Sequence, residues 1–357
     1  MSRLRVLSLI DIPWNSGLAA YAFDQALALR SGGHDVSFAC HPQSAAAAFA
    51  AREGFAALPL SDRRSPVTPA EVLRLRRLAS AGGFDVLAPQ TGRAQTIAWL
   101  ASFLPGRRYA CVRTKSDARP PARGLTFSRT AAVIAASEHI RAQYLAKGFP
   151  AGLVATVRQG IAAQPPTPPP GRPPYRVGVL GRLDPVKGHA WFLESAAELL
   201  KGGARAEFLI AGGEANVTYA ALREAARTLG LGGSVSFLGK VENALEFMAD
   251  CDVGVVPSLG SEAVSRAALE WLAAGRPLVA SAVGSLPEYA GAAFLVPPGD
   301  RAALAAKLGE LLSSPERRAA AGRENRARAE RDFSQRAFAE ATLVVFERAA
   351  ARGKRTL

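Results

Sequence analysis

The chain alternates short apolar runs with longer amphipathic stretches from end to end. In the first half, 4–10 (LRVLSLI), 34–40 (HDVSFAC), 84–89 (FDVLAP), 108–113 (RYACVR) and 131–137 (AAVIAAS) have the length and content of strands. Between them, 17–33, 69–83 and 94–104 carry apolar residues at helical spacing, and the first two end on paired glycines. The second half repeats the rhythm. Its strands fall at 175–181 (YRVGVLG), 206–213 (AEFLIAGG), 234–239 (SVSFLG), 252–258 (DVGVVPS), 276–281 (RPLVAS) and 292–297 (AAFLVP). Helices separate the first five over 189–203, 218–230, 243–251 and 262–275, and others follow over 300–314 and 335–355. Strands alternating with helices predict parallel sheets with right-handed crossovers. Continuous apolar strands fit sheets covered on both faces.

One segment interrupts the rhythm. Residues 164–174 (QPPTPPPGRPP) hold seven prolines in eleven positions, which neither a helix interior nor a central strand tolerates. An extended, semi-stiff linker is expected there. The predicted organisation is an N-terminal domain over 1–163, the linker 164–174, and a second domain over 175–333. A C-terminal helix and basic tail over 334–357 is expected to pack back toward the first domain. The fold class is thus α/β, with two doubly wound parallel-sheet domains facing a cleft.

Composition changes this picture in one respect. The chain is 49% hydrophobic and 21% charged, which excludes disorder. The net charge of +14 is uneven: 1–174 carries 21 Lys+Arg against 9 Asp+Glu, and 175–357 carries 23 against 21. A basic first half implies an anionic partner. No RNA or DNA motif and no aromatic stacking platform accompanies the charge, so nucleic acid is not expected. An anionic membrane surface or a phosphorylated acceptor fits better. The basic segment 71–79 (EVLRLRRLA) reads either as a membrane-surface helix or as a core-packed helix with a solvated arginine face. No apolar run reaches spanning length, and 1–15 reads as a first strand rather than a signal peptide. Cys40, Cys111 and Cys251 are odd in number and widely spaced, which fits a reducing compartment. The expected location is cytoplasmic, with peripheral contact at the inner face of the plasma membrane.

Two motifs carry candidate chemistry. The first is 181–188 (GRLDPVKG), a glycine-bounded turn between a strand and the helix opening at His189. Helix N-termini favour anions, glycines allow close backbone approach, and Arg182 and Lys187 add a fork and a point charge. The pattern suits a diphosphate and matches neither dinucleotide nor Walker motifs. The bland alternative is a basic loop with glycine caps. The second is 261–270 (SEAVSRAALE), with Glu262 in a loop after a strand and Glu270 eight residues on, inside a helix. A carboxylate accepts hydrogen bonds from vicinal hydroxyls, so two of them flanking a helix start suit a nucleotide-sugar. Two glutamates on a solvated helix face are the alternative. Asp250 and Asp252 have a DxD outline, but Asp252 reads as a turn cap. His34, His41, His139 and His189 lack metal-ligand spacing, so no metal is expected. His189 reads first as structural and second as a contact to the bound group.

Taken in order, GRLDPVKG, FLIAGGE, the long stretch from VSFLGKVENALEFMADCDVGVVPS to VGSLPE, and AFLVPPGD resemble the donor domain of a GT-B glycosyltransferase of family 4, of the retaining, group 1 type. The segments IPWNSGLAAYAFDQALALRSGGHDV and VIAASEHIRAQYLAKGFP are similar to parts of its acceptor-side domain. The resemblance implies two Rossmann-like domains and a metal-independent transfer from a nucleotide-sugar donor, with no cofactor. It assigns Arg182 and Lys187 to the donor diphosphate, Glu262 to the transferred sugar, and Glu270 to the ribose. Gly17, Gly181, Val264 and Ser265 would let backbone approach the donor. Related enzymes carry a histidine where this chain has 114–121 (TKSDARPP); Asp117, Lys115 and Thr114 are the candidates there, against a loop-capping role for Asp117. The acceptor expected is a cell-envelope glycan: lipopolysaccharide, capsule or a lipid-linked glycan. The alternatives are a GT-B nucleotide-sugar epimerase or phosphorylase, and an inactive glycosyltransferase-like scaffold.

Overall fold

The computed structural model describes residues 3–353 except Arg63, Gln164, Pro166 and Ser261. Two positions of the expected linker, one of the second motif and the end of the basic tail thus lie outside the described residues. The chain forms two compact units, one of 1–160 with 335–357 and one of 161–334.

The first unit runs β1 (Arg5–Ile10), α1 (Gly17–Ser31), β2 (Asp35–Cys40), α2 (Ala45–Glu53), β3 (Ala56–Pro59), α3 (Pro69–Ala81), β4 (Val86–Pro89), α4 (Gly92–Ala101), β5 (Ala110–Lys115), β6 (Thr130–Ala135), α5 (Glu138–Ala146) and β7 (Val154–Thr156). Its seven strands are all parallel, in the order β3-β2-β1-β4-β5-β6-β7. The second unit runs β8 (Tyr175–Leu180), α6 (His189–Lys201), β9 (Ala206–Ala211), α7 (Tyr219–Thr228), β10 (Val235–Gly239), α8 (Ala244–Ala249), β11 (Val253–Val256), α9 (Arg266–Ala273), β12 (Leu278–Ser281), β13 (Leu295–Val296), α10 (Arg301–Ser313) and α11 (Pro315–Asp332). Its six strands are parallel, in the order β10-β9-β8-β11-β12-β13. Each sheet is doubly wound, its order reversing once, as the alternating pattern predicts. Two clusters on either face of the second sheet make its core, one around Phe192, Phe208 and Leu308, the other around Trp271, Leu272 and Tyr289.

The final helix, α12 (Gln335–Gly353), packs on α1, β5 and β6 of the first unit. Phe338 meets the Tyr21 ring edge-on at 5.3 Å, and Phe346 is fully buried. In the second unit, Ile161 N donates to Phe333 O at 2.7 Å. The proline-rich segment is tied to the same unit: Gly171 N donates to Asp252 Oδ1 and Arg276 Nη1 to Thr167 O, both at 2.8 Å. Asp252 Oδ2 also accepts from Arg176 N at 2.8 Å, so both of its oxygens are spent on backbone. Among the described residues, no group of three or more His, Cys, Asp and Glu is placed to hold a metal ion.

Five elements appear where the pattern shows none: α2, β3, α5, β7 and α11. Helix α2 (AAAAFAARE) is alanine-rich and lacks apolar–polar contrast, and β3 is a four-residue, largely exposed edge strand. Helix α11 (PERRAAAGRENRARAERD) buries mainly small or polar residues: Ala321, Gly322, Asn325 and Ala329. It packs closely enough that a Cβ on Gly322 would lie 2.4 Å from Gly275 O. The basic segment 71–79 lies in α3. Glu71, Val72, Leu75, Arg76 and Ala79 are buried, with Arg76 donating to the Pro105 and Arg107 carbonyls. No described helix is long and apolar enough to cross a membrane.

Candidate functional site

Ligands of open parallel sheets bind beyond the strands' carboxyl ends, where the strand order reverses. In the second unit that point lies between β8 and β11. The loops leaving these strands line a pocket of about 310 Å³.

The first loop is built on Asp184. Its Oδ1 accepts from Val186 N at 3.2 Å, closing a 3-10 turn over Pro185–Lys187, and its Oδ2 accepts from Asn216 Nδ2 at 2.8 Å. These bonds, with the Val186 N–H foremost, hold the Asp184 carboxyl below its ordinary range. Arg182 Nη2 stands 3.5 Å from the same carboxylate, its side chain mostly exposed. The turn ends on Gly188 with φ +74°, and a Cβ there would lie 1.8 Å from Pro257 O. Glycine therefore lets the β8 loop touch the β11 loop, and Trp191 Nε1 clamps the contact by donating to Pro257 O at 2.8 Å.

The second loop presents Glu262, whose side chain is 2% exposed. Its Oε1 accepts from Lys187 Nζ and from Ser258 Oγ, each at 2.5 Å. Its backbone is held as firmly. Ser285 N donates to Glu262 O at 2.8 Å, and Gly284, at φ +55°, leaves room where a Cβ would stand 2.2 Å from that oxygen. Ser265 then caps α9, its Oγ accepting from Ala268 N at 3.4 Å. Glu270 lies one turn further on, largely buried, with its Oε1 3.0 Å from Arg266 Nε. Burial pushes the Glu270 carboxyl above its ordinary range, and Arg266 works in the opposite direction.

Arg182, Lys187, Glu262, Gly181, Val264, Ser265 and Glu270 thus line one pocket, although 88 positions separate Arg182 from Glu270. A Cβ on Gly181 would meet nothing within 4 Å, so the glycine keeps open space rather than relieving a clash. Gly17 and Asp117 belong to the other unit. Gly17 opens α1, and a Cβ there would likewise meet nothing within 4 Å. Asp117 Oδ1 is engaged within its own loop, accepting from Lys115 Nζ at 2.5 Å and from Arg119 N at 3.0 Å. Lys115 is itself buried, which lowers its pKa. Ser258 and Asn216 take part in the site from outside both motifs, while Asp184 and Arg266 lie inside the motifs at positions the pattern does not mark. His189 lines the pocket too, 2% exposed.

Residues 174–314 match the family model described as glycosyl transferases group 1, and residues 15–164 match glycosyltransferase family 4. Each unit therefore matches a glycosyltransferase domain model, each over less than half of the chain. It is similar to the MMP alpha-(1->4)-mannosyltransferase of Mycolicibacterium hassiacum, 41% identical over 115 residues, or 31% of this chain and 28% of that one. The matched segments span less than half the length of the curated relatives, 28% to 43%. A glycosyltransferase from Rickettsia africae superposes with a TM-score of 0.84 at 14% identity over 100% of both chains. Anabaena HepE, solved with UDP and glucose, superposes at 0.76 with 19% identity over 99% of this chain and 100% of its own. These likenesses identify the fold as GT-B, two Rossmann-like domains.

Proposed function

We propose that this chain is a retaining, metal-independent glycosyltransferase that moves a sugar from a nucleotide diphosphate sugar to a cell-envelope glycan: lipopolysaccharide, capsule or a lipid-linked glycan. The observation that carries the reading is the ionic cluster of Lys187, Ser258 and Glu262 at the switch point of the second sheet, with Arg182 and Glu270 on the same pocket. In the transfer, the bond from the anomeric carbon to the phosphate oxygen breaks and its electron pair leaves with the diphosphate. The acceptor hydroxyl oxygen bonds to the same carbon, and its proton passes to the departing diphosphate or to solvent. Arg182 and Lys187 stabilise the charge gathering on the leaving group, in place of a metal ion. Glu262, positioned by its contacts with Lys187 and Ser258, binds the transferred sugar and steadies positive charge at its anomeric carbon. Glu270 accepts from the ribose hydroxyls, and the Val264 and Ser265 backbone at the start of α9 faces the donor phosphates. In the other unit, Gly17 is a candidate donor-side residue and Asp117 a candidate acceptor-side residue.

The UDP and glucose bound by the Anabaena relative make uridine nucleotides the first donors to try. The basic excess of residues 1–174 supports an anionic acceptor or a peripheral membrane contact on the cytoplasmic face. The test is nucleoside diphosphate release from a panel of UDP-, GDP- and ADP-sugars, with and without envelope glycan. Acceptor-dependent release that Glu262→Gln abolishes supports transfer. Release of free UDP with no glycan product favours the epimerase alternative, and inorganic phosphate serving as the acceptor favours the phosphorylase one.

A further inference from the structure

Helices α1–α5 and α7–α11 each start at a residue whose side chain accepts from a first-turn N–H. Helix α6 starts at Gly188, which has no side chain to offer, so its first N–H groups and the positive end of its dipole go uncapped. Its first residue is His189. That imidazole is 2% exposed and lines the pocket, yet neither Nδ1 nor Nε2 has a hydrogen-bond partner. Leaving a buried polar group unpaired is costly, and here two ring nitrogens are left so. Burial and then the adjacent Lys187 charge hold its pKa down to about 4, so the ring is uncharged at neutral pH and carries one N–H and one lone pair. The Gly181 carbonyl, which acts on the ring without meeting hydrogen-bond geometry, and the Asp184 carboxylate pull the other way.

We propose that His189 is a further donor-contact residue, its ring N–H donating to a phosphate oxygen of a nucleoside diphosphate seated at the uncapped start of α6. The inference rests on the donor-site reading of this pocket and adds a third group to Arg182 and Lys187. Unlike them, His189 adds no charge. It recognises the phosphate by direction, and its burial keeps the competing hydrogen bonds of water away.

The test is calorimetric titration of UDP into the whole chain and into His189→Phe, His189→Gln and Lys187→Ala. His189→Phe is expected to weaken UDP about tenfold, as for a lost hydrogen bond to a charged group. His189→Gln, which keeps an N–H donor, should stay within about threefold. Uridine, which lacks phosphate, should bind all three variants and the wild type alike. If Lys187→Ala loses UDP while His189→Phe binds it normally, the donor site stands and the role of His189 is overturned. If neither variant changes binding, the donor-site reading itself fails. Should His189→Phe not fold, the wild type decides by nitrogen NMR. The imidazole N–H must shift when UDP is added, and an unmoved resonance overturns the inference. If UDP does not bind, ADP and GDP are titrated in its place, and failure of all three removes both readings.

Discussion

Lys187 Nζ and Glu262 Oε1 lie 2.5 Å apart, joining the β8 loop to the β11 loop across 75 positions of chain. The carboxylate is 2% exposed and the lysine 28%, so the pair is buried on one side and open to the pocket on the other. Breaking one partner strands the other. Lys187→Met should therefore lower stability by about 2 kcal/mol through the uncompensated Glu262 charge. Adding Glu262→Gln should restore most of that, because the charge is gone, while nucleotide binding stays lost. Urea unfolding of the single and double variants checks this. A single variant as stable as wild type would mean the pair is too well solvated to matter.

Gly284 touches no substrate in this scheme, yet it controls Glu262. A methyl group there would press on Glu262 O at 2.2 Å from a backbone conformation that disfavours side chains. Gly284→Ala should cost about 2 kcal/mol or more and should remove transfer activity along with the Glu262 position. Unfolding and turnover measured on the same preparation check both halves. An active, stable variant would show that the loop has room to shift.

Glu270 accepts from both ribose hydroxyls best when ionised, and burial works against that while Arg266 works for it. Arg266→Ala removes the help, so the Glu270 pKa should climb further. The carboxylate is charged above its pKa, so binding is lost as pH falls through it. In Arg266→Ala the fall in UDP affinity should therefore begin at higher pH than in the wild type. Titrations carried from neutral pH downward read this directly. Parallel pH profiles would contradict the coupling.

His189 gives a separate pH signature in stability. Its pKa stands at about 4 in the folded chain against an ordinary 6.5, with Lys187 and Asp184 as its charged neighbours. The unfolded chain takes up a proton that the folded chain refuses. The contribution is thus complete above the unfolded pKa and is lost as pH falls through the folded one. The window runs from about 6.5 down to about 4, and the linkage amounts to about 3 kcal/mol. Unfolding free energies of the wild type and His189→Gln should converge as pH drops across that window. A constant difference between them would show that the imidazole is better solvated than its burial indicates.

The order of residues along the chain already carries both doubly wound sheets, through the alternation of strands and helices. It also carries the glycine-bounded turn and the spaced glutamates, whose residues line one pocket. The contacts that hold them there leave no such trace. Ser258 donates to Glu262 only because the β11 loop doubles back, and Gly284 reaches Glu262 O from a separate loop after β12. Spacing along the chain carries no mark of either. Arg266 sits four residues before Glu270, a spacing that suits an ordinary surface ion pair as well as a site. Helices α2 and α11 escape the apolar pattern because small and polar residues do their packing. His189 is ambiguous in the sequence for a different reason: only burial shows that its nitrogens go unpaired.

The most direct test of the donor site is calorimetric binding of UDP, GDP, ADP and CMP to the wild type and to Lys187→Ala. One nucleoside diphosphate should bind the wild type, and Lys187→Ala should weaken it by at least about tenfold, the worth of one charged hydrogen bond. If no nucleotide binds tighter than about millimolar, or if the variant binds as tightly as the wild type, the pocket between β8 and β11 is not a donor diphosphate site.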